Sequence, residues 1–396
     1  MRYNDLTDFE EINISSRKEE EVEVTILCTT YNQKDYIRDA LNSFLNQDTD
    51  LCYEILIYDD SSTDGTSQII REFATNYPNL IKAFIAHTNT YTHPLRRFAY
   101  NAWQREFSRG KYIAFCEGDD FWVDNKKIQK QWEALEKHKE CDMCACWGCT
   151  VSEDGKTEIS QIRPKTHDGI LTTQEVILGG GQYLVSSGLF YRKKLKEETL
   201  EFEKISGLDY VLQIRGSLRG GIYYIDQKMA AYRRYTKGSW TMRVLRDKEK
   251  LNEQWNIERK MLRELDIDTK GEYNPIITKR LESYITFLEQ LNYHRDEIIN
   301  LLNSLNGKCY LWGMGRRGLD FEEFCYQERI EIKGVCDAVD EKIGEKTRFG
   351  FKIYRTKDVK ADADIILATN SFAYDDLRLS GFGGKIINLQ KYMPLG

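Results

Sequence analysis

Apolar strands and amphipathic helices alternate four times between residues 22 and 138, and this alternation constrains the fold more than any other feature. Each predicted strand is a short apolar, β-branched run, and each predicted helix has apolar residues at a three-to-four spacing. The pattern predicts an α/β domain with a largely parallel sheet and helices on both faces. The predicted strands are 22–28, 54–60, 81–87 and 111–116, and the predicted helices are 34–47, 67–77, 94–108 and 125–138.

Polar and acidic residues follow these strands, at the edge where ligands of parallel sheets bind. Adjacent carboxylates repel each other, and a hard divalent cation offsets that repulsion. Mg²⁺ or Mn²⁺ usually completes its shell with substrate phosphates, so we expect a metal-bound diphosphate, as in a sugar nucleotide. A solvated loop or a helix cap is the alternative for any single Asp-Asp pair. The residues at these strand ends are Thr29, Tyr31, Asp59, Asp60, Asp119 and Asp120.

Three segments, VTILCTTYNQKDYI, EILIYDDSSTDGT and GKYIAFCEGDDFWVDNKKIQKQ, together resemble the family 2 glycosyltransferases with the GT-A fold. The resemblance covers roughly residues 22–240 and is strongest over 22–135. It implies an inverting transferase that moves a sugar from a nucleotide diphosphate, with UDP as the expected nucleotide, to a saccharide or lipid-linked acceptor. Surface polysaccharide synthesis is the implied setting.

The resemblance also implies a role for each matching residue on the donor side. Thr29 and Tyr31 line the base pocket, and Asp60 hydrogen-bonds the base. Asp119 contacts the ribose or the metal, Asp120 ligates the metal, and Trp122 packs at the sugar side unless it has a core or lid role. Two further acids are less determined: Asp59 mainly fixes the turn, and Glu117 either lies near the donor sugar or faces solvent at the strand end.

An inverting displacement needs a carboxylate that takes the proton of the acceptor hydroxyl. The family places this base in an acidic motif that opens a helix, and the matching residue is Asp209 in ISGLDYVLQIRGSLR. The alternative is a first-turn Asp favoured by the helix dipole.

The acceptor side of the resemblance rests on VSSGLFYR and AAYRRY. It places Ser186 and Ser187 near the acceptor. In AAYRRY, Tyr235 replaces a His found in many relatives, which puts a diphosphate contact there in doubt. Arg233 and Arg234 offer cations for a phosphate, or form a charge cluster at a strand end.

The last 90 residues form a second α/β pattern that begins with a glycine-rich loop. Gly313, Gly315 and Gly318 fit a G-x-G-x-x-G fingerprint between a strand and a helix, and Asp337 follows nineteen residues later. The segment resembles small Rossmann-like modules appended to sugar-modifying enzymes. Because the second half of a dinucleotide fold is missing, bound NAD is not expected, and a structural, partner or acceptor-docking role is favoured.

Composition limits the remaining possibilities. The net charge of −6 argues against a nucleic-acid-binding body, and no apolar run approaches the roughly 20 residues of a membrane span. We therefore expect a cytoplasmic protein, or one peripherally associated with the inner face of the cell membrane. The cysteine run at 141–149 favours a buried strand over a metal site, because a single residue separates its two C-x-x-C pairs.

The sequence thus predicts an N-terminal frayed arm (1–21), a GT-A domain (22–240), a helical linker (241–306) and a Rossmann-like domain (307–396). Two alternative functions stay open. One is an NAD-linked sugar-nucleotide oxidoreductase or epimerase, although residues 307–396 contain no Tyr-x-x-x-Lys spacing. The other is a non-catalytic sugar-nucleotide-binding protein, which would not need a base at Asp209.

Overall fold

The structure is a computed structural model that describes residues 8–13, 21–91, 93, 96–207, 209–234, 236, 248–337, 343–369 and 371–392. The chain divides into a first unit, Met1–Ser239 with Ile257–Ile277, and a second unit, Trp240–Asn256 with Thr278–Gly396. Helices make up most of the described part of 241–306, and 257–277 belongs to the first unit. No described helix is both long and apolar enough to cross a membrane.

The first unit is built on one mixed sheet. Its strands, in the described part of the chain, are β1 (Phe9–Ile12), β2 (Val24–Thr30), β3 (Tyr53–Asp59), β4 (Ile81–Ala86), β5 (Tyr112–Glu117), β6 (Phe121–Trp122), β7 (Met143–Val151), β8 (Glu158–Ile162), β9 (Gly169–Leu171), β10 (Leu189–Arg192) and β11 (Ile222–Arg233). Its helices are α1 (Ile37–Leu45), α2 (Thr66–Asn76), α3 (Arg96–Phe107), α4 (Lys127–Lys137), α5 (Thr173–Gly179) and α6 (Asp209–Ser217).

The centre of this sheet confirms the predicted α/β alternation. Strands β4, β3, β2 and β5 are parallel neighbours in that order, and almost every residue of β2 and β3 is buried. Helix α1 shows why the pattern folds this way: Ile37, Ala40, Leu41 and Phe44 fall on one face and are fully buried. The sheet then continues through antiparallel β10 into β7, β11 and β6, which makes it mixed.

Two regions of the first unit differ from the sequence-based expectation. Within the expected frayed arm, Phe9–Ile12 forms β1 and pairs antiparallel with β4. The ring of Phe9 packs edge-on against Tyr58 and Phe84, which gives this polar segment an apolar anchor. The sequence pattern also predicts a strand near 222–226; strand β11 instead extends to Arg233, because bulges let it stay paired with β7.

The second unit contains a parallel sheet of β12 (Cys309–Trp312), β13 (Gly334–Asp337), β14 (Ile353–Arg355), β15 (Ile365–Ala368) and β16 (Lys385–Asn388). The strands lie in the order β14-β13-β12-β15-β16, so chain order reverses at β12. The described helices that complete the chain are α7 (Lys248–Asp268), α8 (Asn274–Glu282), α9 (Phe287–Tyr293), α10 (Arg295–Asn303), α11 (Arg316–Glu328), α12 (Thr356–Asp362) and α13 (Ser371–Leu379).

Candidate active site

The carboxyl ends of β3, β2 and β5 meet at one edge of the first sheet. Thr30 of β2 lies opposite Asp59 of β3, and Thr29 lies opposite Glu117 of β5. The acids that end β3 and β5 are therefore separated by one intervening strand, a backbone distance of about 10 Å. A molecule the size of a nucleotide can span that distance.

Asp59 and Asp60 are held by hydroxyl groups on their own side of β2. One carboxylate oxygen of Asp60 accepts hydrogen bonds from the Thr90 amide and hydroxyl, both at 2.8 Å, and from Tyr58 at 2.9 Å. Asp59 accepts from the hydroxyls of Ser62 and Ser67, which fixes the turn after β3. Asp59 and Asp60 therefore form a group of their own, held by residues in and after β3 and β4.

The TYNQ and SSTDGT loops are locked together by reciprocal hydrogen bonds. The backbone amide of Asn32 donates to Ser62 Oγ, and the side-chain oxygen Asn32 Oδ1 accepts from the backbone amide of Thr63, both at 2.8 Å. The backbone amide of Gln33 donates to Thr66 Oγ1 at 2.9 Å. These contacts explain why the two motifs occur together: each loop supplies the polar partners of the other. In the TYNQ loop, Tyr31 stays 47% exposed, as a residue that packs on a nucleotide base must be.

A second acidic group forms around the end of β5. It combines Glu117, Asp119 and Asp120 with Asp209, the first residue of α6. Burial, and then the charges of Asp209, Asp120 and Asp119, raise the pKa of Glu117 well above its usual range. Burial also raises the pKa of Asp209, to about 6. Residues some 90 positions apart in the sequence thus share one electrostatic site.

Asp119 and Asp120 differ in what holds their carboxylates. Asp120 is 1% exposed, and its Oδ1 accepts a hydrogen bond from the Arg233 amide at 2.9 Å. Its Oδ2 is buried and has no hydrogen-bond partner among the described residues. Asp119 is partly exposed and accepts a 3.2 Å hydrogen bond from Thr236 Oγ1. Burial raises the pKa of both carboxyl groups.

The sequence suggested that Arg233 offers a cation for a phosphate or joins a charge cluster at a strand end; in the structure it is buried among protein groups. It is 2% exposed, and its guanidinium donates to the Asp119 carbonyl at 2.7 Å and to the Asp39 carboxylate. The guanidinium also lies 5.2 Å from the Tyr36 ring and 4.9 Å from the Phe121 ring. Arg233 therefore supports the Asp119–Asp120 turn from beneath. Of its expected neighbours, Arg234 bonds through its amide to Val151, and Tyr235 lies outside the described residues.

Trp122 is a core residue rather than a wall of the sugar pocket. It is 5% exposed, its ring packs 4.8 Å from that of Phe44, and Lys127 Nζ lies 4.3 Å from its ring centre. Its Nε1 donates to the Ser187 carbonyl at 2.9 Å. The indole therefore ties the end of the Asp-Asp segment to the Ser186–Gly188 turn, because β6 and that turn pack against the same core.

Ser186 and Ser187 occupy the same turn but make different contacts. The Ser186 hydroxyl donates to Glu117 Oε2 at 2.9 Å, and Ser186 partly offsets the effect of burial on the pKa of Asp209. Ser187 is fully buried and its hydroxyl makes no regular hydrogen bond among the described residues, although it lies near Asp120. Because Ser187 is buried, this arrangement does not bring it into direct contact with an acceptor.

Sequence reasoning missed three side chains that hold the acidic group. They are Thr236, the Ser186 hydroxyl as a partner of Glu117, and Gln33, whose side chain helps to stabilise the Asp119 carboxylate. Gln33 had a signal, since it closes the TTYNQ motif. The other two contacts join segments far apart in the chain, and no local pattern indicates them.

The acidic group offers carboxylate oxygens of the kind that bind a divalent cation, although these oxygens are not already arranged around one point. Among the described residues, no group of three or more His, Cys, Asp or Glu side chains is arranged to hold a metal. The unpartnered Oδ2 of Asp120 is nevertheless the kind of oxygen that a hard cation would satisfy. The cysteines at 141, 144, 146 and 149 are buried free thiols in and beside β7.

In the second unit, the glycine-rich loop has the geometry its spacing suggested. Gly313 adopts φ 88°, and Gly315 precedes the first residue of α11. A Cβ on Gly318 would lie 2.1 Å from the Gly313 carbonyl oxygen, so only glycine fits there. Asp337 ends β13, and its side chain lies outside the described residues. A structural, partner or acceptor-docking role for this loop stays a prediction.

A model of the family described as Glycosyl transferase family 2 matches residues 25–200. The uncharacterized protein Rv1520 of Mycobacterium tuberculosis is 32% identical over 217 residues, which cover 55% of this chain and 60% of that protein. The chain thus spans less than two thirds of that relative's length. In Escherichia coli, the UDP-Glc:alpha-D-GlcNAc-diphosphoundecaprenol beta-1,3-glucosyltransferase WfaP is 36% identical over 116 residues, covering 29% of this chain and 42% of WfaP.

Among solved structures, the crystal structure of S. aureus TarS 1–349 in complex with UDP-GlcNAc is similar to this chain. The two share 17% identity with a TM-score of 0.49, and the match covers 81% of this chain and 95% of that one.

Proposed function

We propose that this chain is an inverting glycosyltransferase that moves a sugar from a nucleotide diphosphate to a saccharide or lipid-linked acceptor. The observation that carries the proposal is the approach of Asp209 to Glu117 at the end of β5: burial, and then the charges of Asp209, Asp120 and Asp119, raise the pKa of Glu117. A carboxylate brought from a distant helix to the acids at the end of a strand supplies both a base and an anionic cation site. The family 2 match over residues 25–200 agrees with this chemistry.

Asp209 is the proposed general base. The oxygen of the acceptor hydroxyl attacks the anomeric carbon, and the bond from that carbon to the β-phosphate oxygen breaks. The electron pair leaves with the nucleoside diphosphate, and the hydroxyl proton passes to Asp209. With a pKa of about 6, Asp209 is mostly ionised near neutral pH and is a stronger base than an ordinary aspartate.

Asp119 and Asp120 are the residues that would hold a divalent cation, Mn²⁺ or Mg²⁺, with Glu117 beside them. When bound, such a cation stabilises negative charge on the departing diphosphate. The protein's own contribution is to keep these carboxylates in place, through the contacts of Arg233 and Thr236 with the Asp119–Asp120 turn.

The nucleotide is proposed to extend from the Asp119–Asp120 turn across β2 toward Asp60 and Tyr31. Tyr31 is exposed enough to pack against a base, and the β3 and β5 ends are about 10 Å apart. UDP is the proposed nucleotide. WfaP supports a UDP-sugar donor and a diphosphoundecaprenol-linked acceptor, because its name specifies both. A role in surface polysaccharide synthesis is part of the same proposal. Approach to an inner membrane face follows from such an acceptor.

The test measures UDP or GDP release from UDP-glucose, UDP-N-acetylglucosamine and GDP-mannose with Mn²⁺, and donor binding by calorimetry. Asp120→Ala should weaken donor binding. Asp209→Ala should bind donor normally and lose turnover by roughly 100-fold or more. Asp48→Ala removes an exposed carboxylate whose only described ion pair is a 3.5 Å contact with Lys126, and it should behave as the wild type.

Two results would contradict the proposal. Turnover that survives in both Asp120→Ala and Asp209→Ala would remove the assigned site. Donor binding without turnover in the wild type, even with chelator-treated enzyme resupplied with Mn²⁺, would favour a sugar-nucleotide-binding protein instead.

A further inference from the structure

All of the described hydrogen bonds to the Asp60 carboxylate fall on one of its two oxygens. Oδ1 accepts from the backbone amide and the hydroxyl of Thr90, both at 2.8 Å, and from the Tyr58 hydroxyl at 2.9 Å. The two hydroxyl oxygens are farther from each other, at 3.3 Å, so each hydroxyl directs its single proton to the carboxylate. Among the described residues, none donates a hydrogen bond to Oδ2. One oxygen is thus saturated by the protein, and the other is not used by it.

The Tyr58 hydroxyl is held in place by the packing of its ring. Tyr58 lies on β3 and is 2% exposed. Its ring centre is 5.4 Å from that of Trp103 on α3 and 5.9 Å from that of Phe9 on β1. Thr90 is buried as well. Because side chains in a close-packed interior keep one rotamer, neither hydroxyl oxygen can move away from Asp60 without disturbing its neighbours.

The backbone of Asp60 is fixed in the same way. Its amide donates to the Thr30 carbonyl at 3.0 Å, and its carbonyl accepts from Asn89 Nδ2 at 2.8 Å. Since the backbone and Oδ1 are both held, turning the carboxylate would break the three hydrogen bonds to Oδ1 at once. The direction in which Oδ2 points is therefore determined by Tyr58, Thr90 and the backbone contacts.

A carboxylate oxygen with a fixed direction can distinguish nucleobases by their hydrogen-bond patterns. An ionised carboxylate only accepts hydrogen bonds, so Oδ2 pairs with a base edge that offers an N–H group. Uracil offers N3–H, whereas N3 of cytosine is itself an acceptor and would face Oδ2 with no proton between them. A carboxylate that was free to turn could instead accept from the 4-amino group of cytosine, and the preference for uracil would weaken.

We propose that Tyr58 is a positioning residue that sets the base specificity of the donor site. Its hydroxyl, with that of Thr90, holds Asp60 so that Oδ2 accepts only from a base that has an N–H donor at this edge, such as uracil. Tyr58 acts through Asp60 and makes no contact with the base itself. This inference rests on the proposed function, because it takes the nucleotide to lie beside Asp60.

The test measures the dissociation constants of UDP and CDP by calorimetry with Mn²⁺, since the two nucleotides differ only at N3 and at the neighbouring C4 substituent. We expect the wild type to bind UDP about 100-fold more tightly than CDP. Tyr58→Phe and Thr90→Val should each lower this ratio by about 5- to 10-fold, because each removes one hydrogen bond from Oδ1. Thr90→Ser keeps the hydroxyl and should retain the ratio. Tyr53→Phe is the matched control and should also retain it: Tyr53 lies on the same strand, and its hydroxyl donates to the Phe44 carbonyl at 3.2 Å.

Asp60→Asn gives a second readout from the same binding measurements. The three donors around Oδ1 would hold the amide oxygen in that place, so the NH₂ group would face the base. Because an NH₂ group donates to N3 of cytosine and not to N3–H of uracil, the preference should reverse in favour of CDP. Adding Tyr58→Phe to Asp60→Asn should weaken this reversal, since the amide can then turn over.

Two results would overturn the inference. The first is a UDP-to-CDP ratio that Tyr58→Phe leaves unchanged, even if both nucleotides bind more weakly, because an equal loss indicates a merely structural role. The second is an Asp60→Asn variant that still prefers UDP. Failure of the proposed function looks different: the wild type itself would then bind neither nucleotide in the presence of Mn²⁺, and both proposals would be contradicted.

Discussion

At the scale of the single residue, Arg233 illustrates how a buried cation is used to shape an acidic site. Its amide and guanidinium contact Asp120 and Asp119, and its remaining contacts are Asp39 and two aromatic rings. Lysine cannot reproduce this planar fork of donors. For holding Asp119 and Asp120 in place, the planar donor geometry of the Arg233 guanidinium therefore matters more than its charge.

Arg233→Lys should lower the free energy of unfolding by about 2–4 kcal/mol and reduce donor binding, because the Asp119–Asp120 turn loses its support. Denaturant unfolding and calorimetric binding of UDP-glucose measure the two effects. Arg163→Lys is the control, since Arg163 makes a similar two-pronged contact with Asp226 at the surface and should cost less than about 1 kcal/mol. Equal losses in both variants would contradict a special role for Arg233.

Glu322 of α11 is a buried carboxyl group that no described residue hydrogen-bonds with regular geometry. Burial raises its pKa above the usual 4.5, and nearby Thr347 and Arg348 offset this only in part. At pH values between the unfolded and the folded pKa of Glu322, the folded state therefore holds a proton that the unfolded state has released. Stability from this group is present below about pH 4.5 and is lost as the pH rises through the folded pKa.

Glu322→Gln should therefore stabilise the protein by about 1–2 kcal/mol at pH 7 to 8, because a neutral amide replaces a carboxyl group that resists ionisation. The gain should vanish near pH 4. Thermal unfolding between pH 4 and 8 measures it, and Glu323→Gln on the partly exposed side of the same helix serves as the control. A constant difference across this range would show that Glu322 does not titrate in the expected direction.

At the scale of the element, the strand–loop–helix around G-x-G-x-x-G is determined by backbone geometry. Gly318→Ala should lower the free energy of unfolding of the second unit by about 2–4 kcal/mol, because the new methyl group would meet the Gly313 carbonyl. Gly315→Ala in the same loop meets no atom within 4 Å at an ordinary φ of −63°, so it should be nearly neutral. Denaturant unfolding of both variants checks the contrast, and a neutral Gly318→Ala would refute the close approach.

Sequence patterns were most informative about the positions of single strands and helices. The strand and helix periods placed β2 to β5 and α1 to α4 within a few residues, because each element buries one regularly spaced face. Asp209 was expected to open a helix and does so. The edge strand β1 was not expected, since an acidic tetrapeptide has little strand signal and is held by its pairing with β4.

At the scale of the whole molecule, the residues of the candidate active site all belong to the first unit. Phe324 lies fully buried in the core of the second unit, and Phe324→Ala should destabilise that unit by about 3–5 kcal/mol. We expect UDP release at 25 °C to stay within twofold of wild type. Phe190→Ala, a core change in β10 beside β5, should reduce it. Loss of UDP release in Phe324→Ala would mean that the second unit contributes to the donor site.

The sequence by itself determined the order of strands and helices, the loop motifs at the strand ends and the first residue of α6. These are local properties, set by periodicity, turn residues and helix ends within a few positions. Only the tertiary structure decided that Glu117 joins Asp209, that Trp122 and Arg233 are buried supports, and that Asp59 and Asp60 stand apart from the acidic group. Such contacts join distant residues, for example Arg233 and Asp119, which lie 114 positions apart. Burial and charge coupling exist only once the chain has brought such residues together.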